Sequence, residues 1–323
     1  MTQREFARML HVSQATVSMA LKDSPEISLK MRRHIQAFAR RVGYRPNLAG
    51  QLLRKGKNNL IGVIMPSMQY SFYAELLEKL HEYAQKKGYI LLLERSGEEK
   101  LFEHAVKTMT QYNVAGLIAE TESSWIEKYV DPDMPIILIN SVNRQFLKQR
   151  RVAGVCPDLF DAGFRIGQYL IQHSRRNLVY LGHGTQGNLR YNGLYAACAE
   201  AGIPAPEILP ADDNTAESGY VSAGEILRKY PGCDAVVAHN DNTAIGVLRR
   251  FYEEKIAIPE RIAVTGFDNI TSGAYSAPAL TSIGTPFDVF AGAIIESLLK
   301  MISSGSAVED LKLEVVINPR ESA

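Results

Sequence analysis

The chain has 323 residues, of which 46% are hydrophobic and 22% are charged, a composition typical of a globular protein with two or three domains. The overall charge of +1 hides a split, because residues 1–57 hold twelve Lys/Arg and three Asp/Glu, a net charge of +9, while the remaining residues carry −8. This split predicts a small module that binds a polyanion, joined to a larger module with a different task.

Several classes of protein are excluded by the same composition. No apolar run approaches the ~20 residues of a membrane span, and residues 1–10 lack an apolar export signal, so we expect a cytoplasmic protein with no membrane partner. The three cysteines are far apart and form neither a metal-binding pair nor a disulfide framework. We therefore expect reduced thiols, no metal and no cofactor.

The basic segment opens with two helix starts. Thr2 and Glu5 have the spacing of a capping box, and after a short break Ser13 is the N-cap of a second helix over residues 14–21. Apolar residues at helical spacing predict the buried side of these two helices: Phe6, Leu10, Val17, Ala20 and Leu21. The opposite side of the second helix forms one strip: Gln14, Ala15, Ser18, Met19 and Lys22.

A third helix follows, capped by Ser28 and closed by Gly43 in the C′ position. Its predicted buried residues lie on one face: Met31, Ile35, Phe38 and Val42. Three short helices with a tight turn between the first two are the helix-turn-helix plan, which lays its second helix in the major groove of DNA. We predict an all-α DNA-binding domain over residues 1–46.

From residue 60 onward, short apolar runs alternate with helical patterns, which predicts parallel sheets covered by helices on both faces. Helices are expected near residues 75–87 and 160–173. The predicted strand runs are I61-GVIM, I90-LLL, G116-LIA, M134-PIILI, N177-LVYLG, D234-AVVA and R261-IAVTGF. Two such units predict two subdomains: an N-subdomain of about 58–156 and 286–307, and a C-subdomain of about 157–285 and 308–323.

Ligands of open parallel sheets bind at the carboxyl ends of the strands, so the residues after each run are candidate contacts. Most of them are polar or aromatic: Ser67, Tyr70, Phe72, Tyr73, Glu94, Asn140, Arg190, Asn240, Asp241 and Asp268. Hydrogen-bonding groups mixed with a few aromatic rings suit a neutral polyhydroxy ligand. The alternative interpretation is structural, because loop ends are polar anyway and Asp241 or Asp268 could cap the next helix.

Five elements of the sequence, in order, resemble the bacterial lactose-repressor (LacI/GalR) family. They are T2-x-x-E-F-A, V12-S-x-x-T-V-S, S28-x-x-x-R32, G43-Y-R-P-N47 and I61-G-V-I-x-P-S67. The resemblance implies an α/β ligand-binding module of the periplasmic-binding-protein type I kind over residues 58–323, behind the helix-turn-helix domain. It also implies a homodimer that binds palindromic double-stranded operator DNA and is controlled by a small-molecule effector, such as a carbohydrate.

The same resemblance implies a hinge helix at residues 47–57, where Leu53 would wedge into the minor groove of the operator. The DNA contacts implied by the family pattern are Thr2, Ser13, Gln14, Ala15, Thr16, Ser18, Met19, Lys22, Ser28, Arg32, Tyr44, Asn47, Gly50, Leu53 and Arg54. Met19 replaces an arginine that can pair with guanine, His11 replaces a turn glycine, and Gly50 weakens the hinge helix. These departures predict that the operator of this protein differs in base sequence from the operators of its relatives.

For the effector, Arg190 matches the ligand-clamping arginine of the family and Asp268 matches its hydroxyl-binding aspartate. The implied effector contacts are Ser67, Tyr70, Phe72, Tyr73, Asn140, Arg190, Asn214, Asn240, Asp241, Asp268 and Phe287. Asn214 stands where sugar-binding members place a stacking aromatic ring, which removes an apolar platform. A sugar or sugar acid is the first hypothesis, and a sugar phosphate, a nucleoside or another metabolite stays open, since Arg190 also suits an anion.

Two other functions compete with a repressor. A carbohydrate-processing enzyme would need a catalytic group, and His183 after a strand is the best isolated candidate, although the chain lacks the common nucleotide, zinc and hydrolase motifs. A sugar-binding protein without a DNA role would not need the basic helices. We therefore expect a regulator and no enzyme, with residues 75–87 and 287–302 as its dimer face.

Overall fold

The structure is a computed structural model that describes residues 1–44, 58–139, 145, 147, 149–182, 187–211 and 213–323. The described residues form two compact units, Met1–Asn59 and Leu60–Ala323. The predicted hinge at 47–57, with Asn47, Gly50, Leu53 and Arg54, lies outside the described residues, as do Asn140 and His183.

In the described part of the first unit, three helices follow one another: α1 (Gln3–Met9), α2 (Gln14–Leu21) and α3 (Leu29–Arg41). Each begins at its predicted cap. Thr2 and Glu5 form a reciprocal capping box, the Ser13 hydroxyl accepts from the Thr16 amide at 3.0 Å, and Ser28 caps α3. The turn between α1 and α2 requires His11 to take a left-handed φ of 53°. The helix-turn-helix plan is confirmed.

The core of this unit differs in part from the predicted stripe. Met31, in the first turn of α3, is 39% exposed, and Ala39, on the same face as Ile35, is buried. The Tyr44 ring is also buried, stacked on Phe6 with ring centroids 4.2 Å apart. Leu10 and Leu21 are half-buried at the edge of this core.

The second unit contains two layered halves. Its elements are β1 (Leu60–Met65), α4 (Ser71–Lys86), β2 (Ile90–Arg95), α5 (Glu99–Gln111), β3 (Gly116–Ala119), α6 (Ser123–Tyr129), β4 (Ile136–Leu138), β5 (Val152–Pro157), α7 (Leu159–Gln172), β6 (Leu178–Leu181), α8 (Leu189–Glu200), β7 (Glu207–Leu209), α9 (Ala216–Lys229), β8 (Ala235–Ala238), α10 (Asp241–Glu253), β9 (Ala263–Phe267), α11 (Thr271–Ala274), β10 (Thr281–Gly284), α12 (Phe287–Ser304), β11 (Leu311–Leu313) and β12 (Val316–Asn318). All the predicted strand runs form strands.

Among the described residues, the strands form two six-stranded sheets, in the orders β11-β5-β4-β3-β1-β2 and β12-β10-β9-β8-β6-β7. The pairings are parallel except for β12, which runs antiparallel to β10. Helices cover both faces of each sheet. In β1, Ile61, Val63 and Met65 pack under α4 and α12, whereas Ile64 packs on the opposite side under α5 and α6, as the alternation of side chains along a strand requires.

The predicted subdomain boundary at residue 307 is wrong at one strand. β11 belongs to the N-subdomain, because it pairs in parallel with β5 in the register Leu313↔Pro157. The chain then returns to the C-subdomain only at β12. A strand as short as β11, with two leucines flanking a lysine, has too weak an apolar pattern to be assigned from sequence.

Candidate functional site

The exposed side of α2 is the first candidate site. We call Gln14, Ala15, Ser18, Met19 and Lys22 the reading face. Ala15 and Lys22 are exposed and the other three are partly exposed, so the predicted strip faces away from the three-helix core. The Gln3 amide donates to the Gln14 carbonyl at 3.2 Å and ties α1 to the start of α2.

Other predicted DNA contacts have structural tasks as well. The hydroxyls of Thr2, Ser13 and Ser28 cap their own helices, and Thr16 bonds to the Ser13 hydroxyl at 2.8 Å. The side chain of Arg32 is 20% exposed and lies 3.9 Å from Asp23.

Tyr44 corrects the predicted DNA surface. Its ring is part of the core, and burial raises the pKa of its hydroxyl. The ring therefore stabilises the helical unit and is not presented to solvent.

The second candidate site is a cavity of about 150 Å³ between the two sheets of the second unit, which we call the cleft. Its lining lies at the carboxyl ends of strands from both subdomains, as expected for parallel sheets: Tyr70, Phe72, Tyr73, Glu120, Ile139, Cys156, Pro157, Leu159, Arg190, Asn214, His239, Asn240, Asn242 and Asp268. The structure thus brings together seven of the predicted effector residues: Tyr70, Phe72, Tyr73, Arg190, Asn214, Asn240 and Asp268.

Arg190 and Asp268 form an ion pair at the centre of the cleft. Their closest atoms, Nη2 and Oδ1, are 3.2 Å apart, and their side chains are 17% and 14% exposed. The guanidinium also lies over the Phe267 ring, 5.3 Å from its centroid. Burial raises the pKa of Asp268 while the charge of Arg190 opposes that shift, so the pair presents a matched charge and spare hydrogen-bonding positions to a ligand.

The backbone at Asp268 is strained, with a φ of 99°, and Asn269 follows at 53°. A non-glycine residue holds such a conformation only where its surroundings enforce it. Gly284 permits the close approach, because a Cβ there would lie 2.8 Å from the Asp268 carbonyl oxygen. The Asp268 amide donates to the Ile283 carbonyl at 2.9 Å.

Asp241, predicted as an effector contact, lies outside the described lining of the cleft and supplies much of that enforcement. Its carboxylate accepts from the Ile270 amide at 2.8 Å and from the Ser282 hydroxyl at 2.6 Å. The side chain is buried behind the cleft. Since Ser282 in turn accepts from the Asn269 amide at 3.0 Å, Asp241 positions the segment that carries Asp268.

Asn240 is both a helix cap and a residue of the cleft lining, the two roles that the sequence left open. Its side-chain oxygen caps α10 by accepting from the Thr243 amide at 2.8 Å. Its amide nitrogen donates to the Asn214 carbonyl at 3.5 Å, at the wall of the cleft. The cap fixes the orientation of the side chain that the ligand would meet.

On the N-subdomain side, Glu120 is a charged residue of the lining that sequence reasoning missed. It follows β3 and lines the cleft together with Tyr73. Burial raises the pKa of Glu120 to about 7, opposed by the Tyr73 hydroxyl and the charge of Arg190. Burial likewise raises the pKa of Tyr73. Glu120 has the strand-end position that identified Asp268, so the signal was present in the sequence.

His239 and Asn242 were also missed and line the C-subdomain wall. The Tyr180 hydroxyl, which accepts from Asn188 at 2.9 Å, contacts His239 Nδ1 at 3.0 Å. A buried tyrosine therefore holds the imidazole at the end of β8.

Besides Asp241, two predicted effector residues, Ser67 and Phe287, and the strand-end candidate Glu94 lie apart from the described lining. Ser67 accepts from the Gln69 amide at 3.1 Å and shapes the loop after β1. Phe287 packs behind Phe72, with ring centroids 5.7 Å apart, and Glu94 lies in β2. Phe287 thus packs against a residue that lines the cleft.

The described residues contain neither a metal-binding cluster nor a membrane-spanning helix. No group of three His, Cys, Asp or Glu side chains there could hold a metal ion. No helix among them combines the length and apolar character needed to cross a membrane.

Known proteins resemble the chain over most of its length. The profile of a family described as a periplasmic binding protein-like domain matches residues 168–323. Catabolite control protein A of Priestia megaterium is 25% identical over 315 residues, which cover 94% of this chain and 93% of that protein. The HTH-type transcriptional repressor PurR of Klebsiella pneumoniae (strain 342) is 25% identical over 333 residues, which cover 100% of this chain and 92% of that protein.

Among solved structures, the Lac repressor dimer bound to operator and the anti-inducer ONPF has a TM-score of 0.84 at 20% identity, covering 100% of this chain and 98% of that chain. At that identity the likeness shows the fold. The relatives that span the chain are regulators, which agrees with the inference that it is no enzyme. With its helix-turn-helix unit and two-sheet module, the chain is similar over its whole length to bacterial transcriptional regulators of the LacI/GalR family.

Proposed function

We propose that the chain is a transcriptional repressor that binds a palindromic operator as a homodimer and releases or tightens it when a small polar metabolite occupies the cleft. The observation that carries this proposal is the pairing, in one chain, of an exposed reading face on α2 with a cleft whose charged pair and amides converge from two sheets. A repressor with such a target acts in the bacterial cytoplasm, which is part of the same proposal.

DNA binding rests on the surface chemistry of the first unit. Gln14 can bond to an adenine edge, and Ala15 and Met19 offer apolar contact to a thymine methyl. Lys22 adds a phosphate contact at the end of α2. The predicted hinge residues, including the Leu53 wedge, belong to the same proposal, as does the dimer face on α4 and α12.

Effector control rests on contacts that join the two subdomains across the mouth of the cleft. Glu75 of α4 accepts from both the amide and the hydroxyl of Thr271, each at 2.8 Å. The Ser71 hydroxyl donates to the Asn242 side-chain oxygen at 3.3 Å. A ligand that touches both subdomains stabilises this closed arrangement over an open one by its difference in affinity for the two. The change reaches the DNA-binding unit through the residues that join the two units.

The effector that fits this lining is hydroxyl-rich. Asn214, Asn240 and Asn242 offer uncharged donors and acceptors, and Phe72 and Leu159 offer apolar contact for a carbon skeleton. A carbohydrate or a derivative of one has both kinds of surface.

The experiment that tests the proposal is selection of binding sites from random DNA with the full chain, followed by affinity measurements at several salt concentrations. We expect a two-fold symmetric consensus and an affinity that falls steeply with salt, because phosphate contacts release counterions. Met19→Arg should add a guanine preference in each half-site, whereas Met9→Arg, which adds the same charge at the exposed end of α1, should not. Selection that enriches no sequence would contradict the proposal.

Coupling between the two sites is measured separately. Any compound that changes operator affinity must show the same ratio of affinities when its own binding is measured with and without operator. Equal effector affinity in both conditions would show that the cleft does not control DNA binding.

A further inference from the structure

The charges that line the cleft do not balance. Among the described lining residues, Glu120 and Asp268 are acidic and Arg190 is basic. Arg190 is already paired with Asp268 at 3.2 Å. When both carboxyl groups are ionised, this lining carries a net charge of −1, and the surplus lies at Glu120.

The other polar groups near Glu120 do not remove the surplus. Tyr73 of α4 lines the cleft with Glu120, and its neutral hydroxyl supplies no positive charge. His239 lies on the C-subdomain wall of the cleft, where its Nδ1 is 3.0 Å from the uncharged Tyr180 hydroxyl.

We propose that the effector carries a protonated amine on a polyhydroxy skeleton, and that Glu120 is the residue that binds this ammonium group. The inference rests on the proposed function of the cleft and specifies the class of its ligand. An ammonium group supplies the missing charge and several N–H donors. A carboxylate or phosphate on the ligand would instead face two carboxylates and a guanidinium that is already matched.

The geometry also separates an amine from an uncharged hydroxyl. A partly buried carboxylate without a cation is costly to ionise, so a neutral ligand leaves that cost in place. An ammonium group removes it and adds charge-assisted hydrogen bonds, which are roughly twice as strong as neutral ones. The asparagine amides on the opposite wall remain available to the hydroxyl groups of the same ligand.

The test compares matched ligands on the full chain by calorimetry and thermal shift. The probes are D-glucose, D-glucosamine, N-acetyl-D-glucosamine and D-glucuronate, with the corresponding galacto and manno sets. We expect one amine to bind about tenfold or more tightly than its neutral, acetylated and acidic counterparts. Glu120→Gln should reduce that ratio to threefold or less, Glu120→Asp should keep part of it, and Glu127→Gln, at an exposed position of α6, should leave it unchanged.

Three outcomes would overturn the inference: a neutral or acidic probe that binds as tightly as its amine, an amine preference that survives in Glu120→Gln, or no binding by any amine. Binding of the selected operator is measured on the same preparations. If the protein binds its operator and responds to a neutral sugar, only the amine inference fails. If it binds no operator, the proposed function fails with it.

Discussion

The reading face and the cleft are built in different ways. The helix that carries the reading face begins at a hydrogen bond between Ser13 and Thr16, three residues apart. The cleft depends on hydrogen bonds from Ile270 and Ser282 to Asp241, which lies 29 and 41 residues before them in the chain. Local contacts tolerate the loss of one member, whereas a long-range network leaves several buried groups unpaired. Substitutions should therefore cost more at the cleft.

The largest effect is expected at Asp241. Asp241→Ala would leave the buried Ile270 amide and Ser282 hydroxyl without their acceptor, and we expect the free energy of unfolding to fall by about 3 kcal/mol. Urea denaturation of the full chain measures this. Asp288→Ala, at a side chain that is 62% exposed, should cost well under 1 kcal/mol. Equal losses in the two variants would refute the assigned role of Asp241.

Arg190 comes next. The ligand to use is the monosaccharide that most raises the melting temperature of the wild type. Arg190→Ala should lower the affinity for it about a hundredfold, because the ligand loses a donor and Asp268 loses its partner. Isothermal calorimetry measures the affinity. Arg249→Ala, which removes an exposed pair on α10, is the control and should bind normally. Unchanged affinity in Arg190→Ala would place the ligand elsewhere.

Glu120 should make stability depend on pH. The pKa of Glu120 is about 7 in the folded chain and 4.5 in the reference state, so between those values the folded protein keeps a proton that the unfolded chain loses. Stability therefore falls as pH rises through this window and levels off above it. This fall in the free energy of unfolding should be roughly 2 kcal/mol, and Glu120→Gln should remove it. A fully buried carboxyl group would give a larger fall, but the cleft admits water.

The measurement for Glu120 is the difference in unfolding free energy between the wild type and Glu120→Gln from pH 5 to pH 8. Asp241 and Asp268 also have raised pKa values, but both variants retain them, so their contributions cancel. A constant difference across this range would show that Glu120 titrates normally.

The smallest effect is expected at the local cap of the reading helix. Ser13→Ala removes one hydrogen bond to the Thr16 amide and should destabilise α2 by about 1 kcal/mol. Hydrogen exchange of the α2 amides in the full chain should become about fivefold faster. Ser28→Ala, which removes the cap of α3, should leave α2 nearly unchanged. Equal acceleration of α2 in both variants would show that the unit opens only as a whole.

Much of the fold could be predicted because its signals are local. The caps Thr2, Ser13 and Ser28 stand within three residues of the amides that they accept from, and the alternation of apolar runs with helices identified the sheets. The cleft followed from the rule that parallel strands end at a common edge. Glu120 was missed although that rule includes it, and Tyr44 was placed at the DNA surface although its ring packs on Phe6.

Long-range contacts decided what each polar residue does. Asn240 and Asp241 are neighbours at one strand end, yet Asn240 lines the cleft while Asp241 is buried behind it. Sequence alone cannot separate them, because their roles depend on Asn214, Ile270 and Ser282, which only folding brings near. The local pattern was sufficient for the helix-turn-helix unit, the two-sheet architecture and the resemblance to the LacI/GalR family. The charge balance of the cleft and the strained backbone at Asp268 emerge only when distant strands meet.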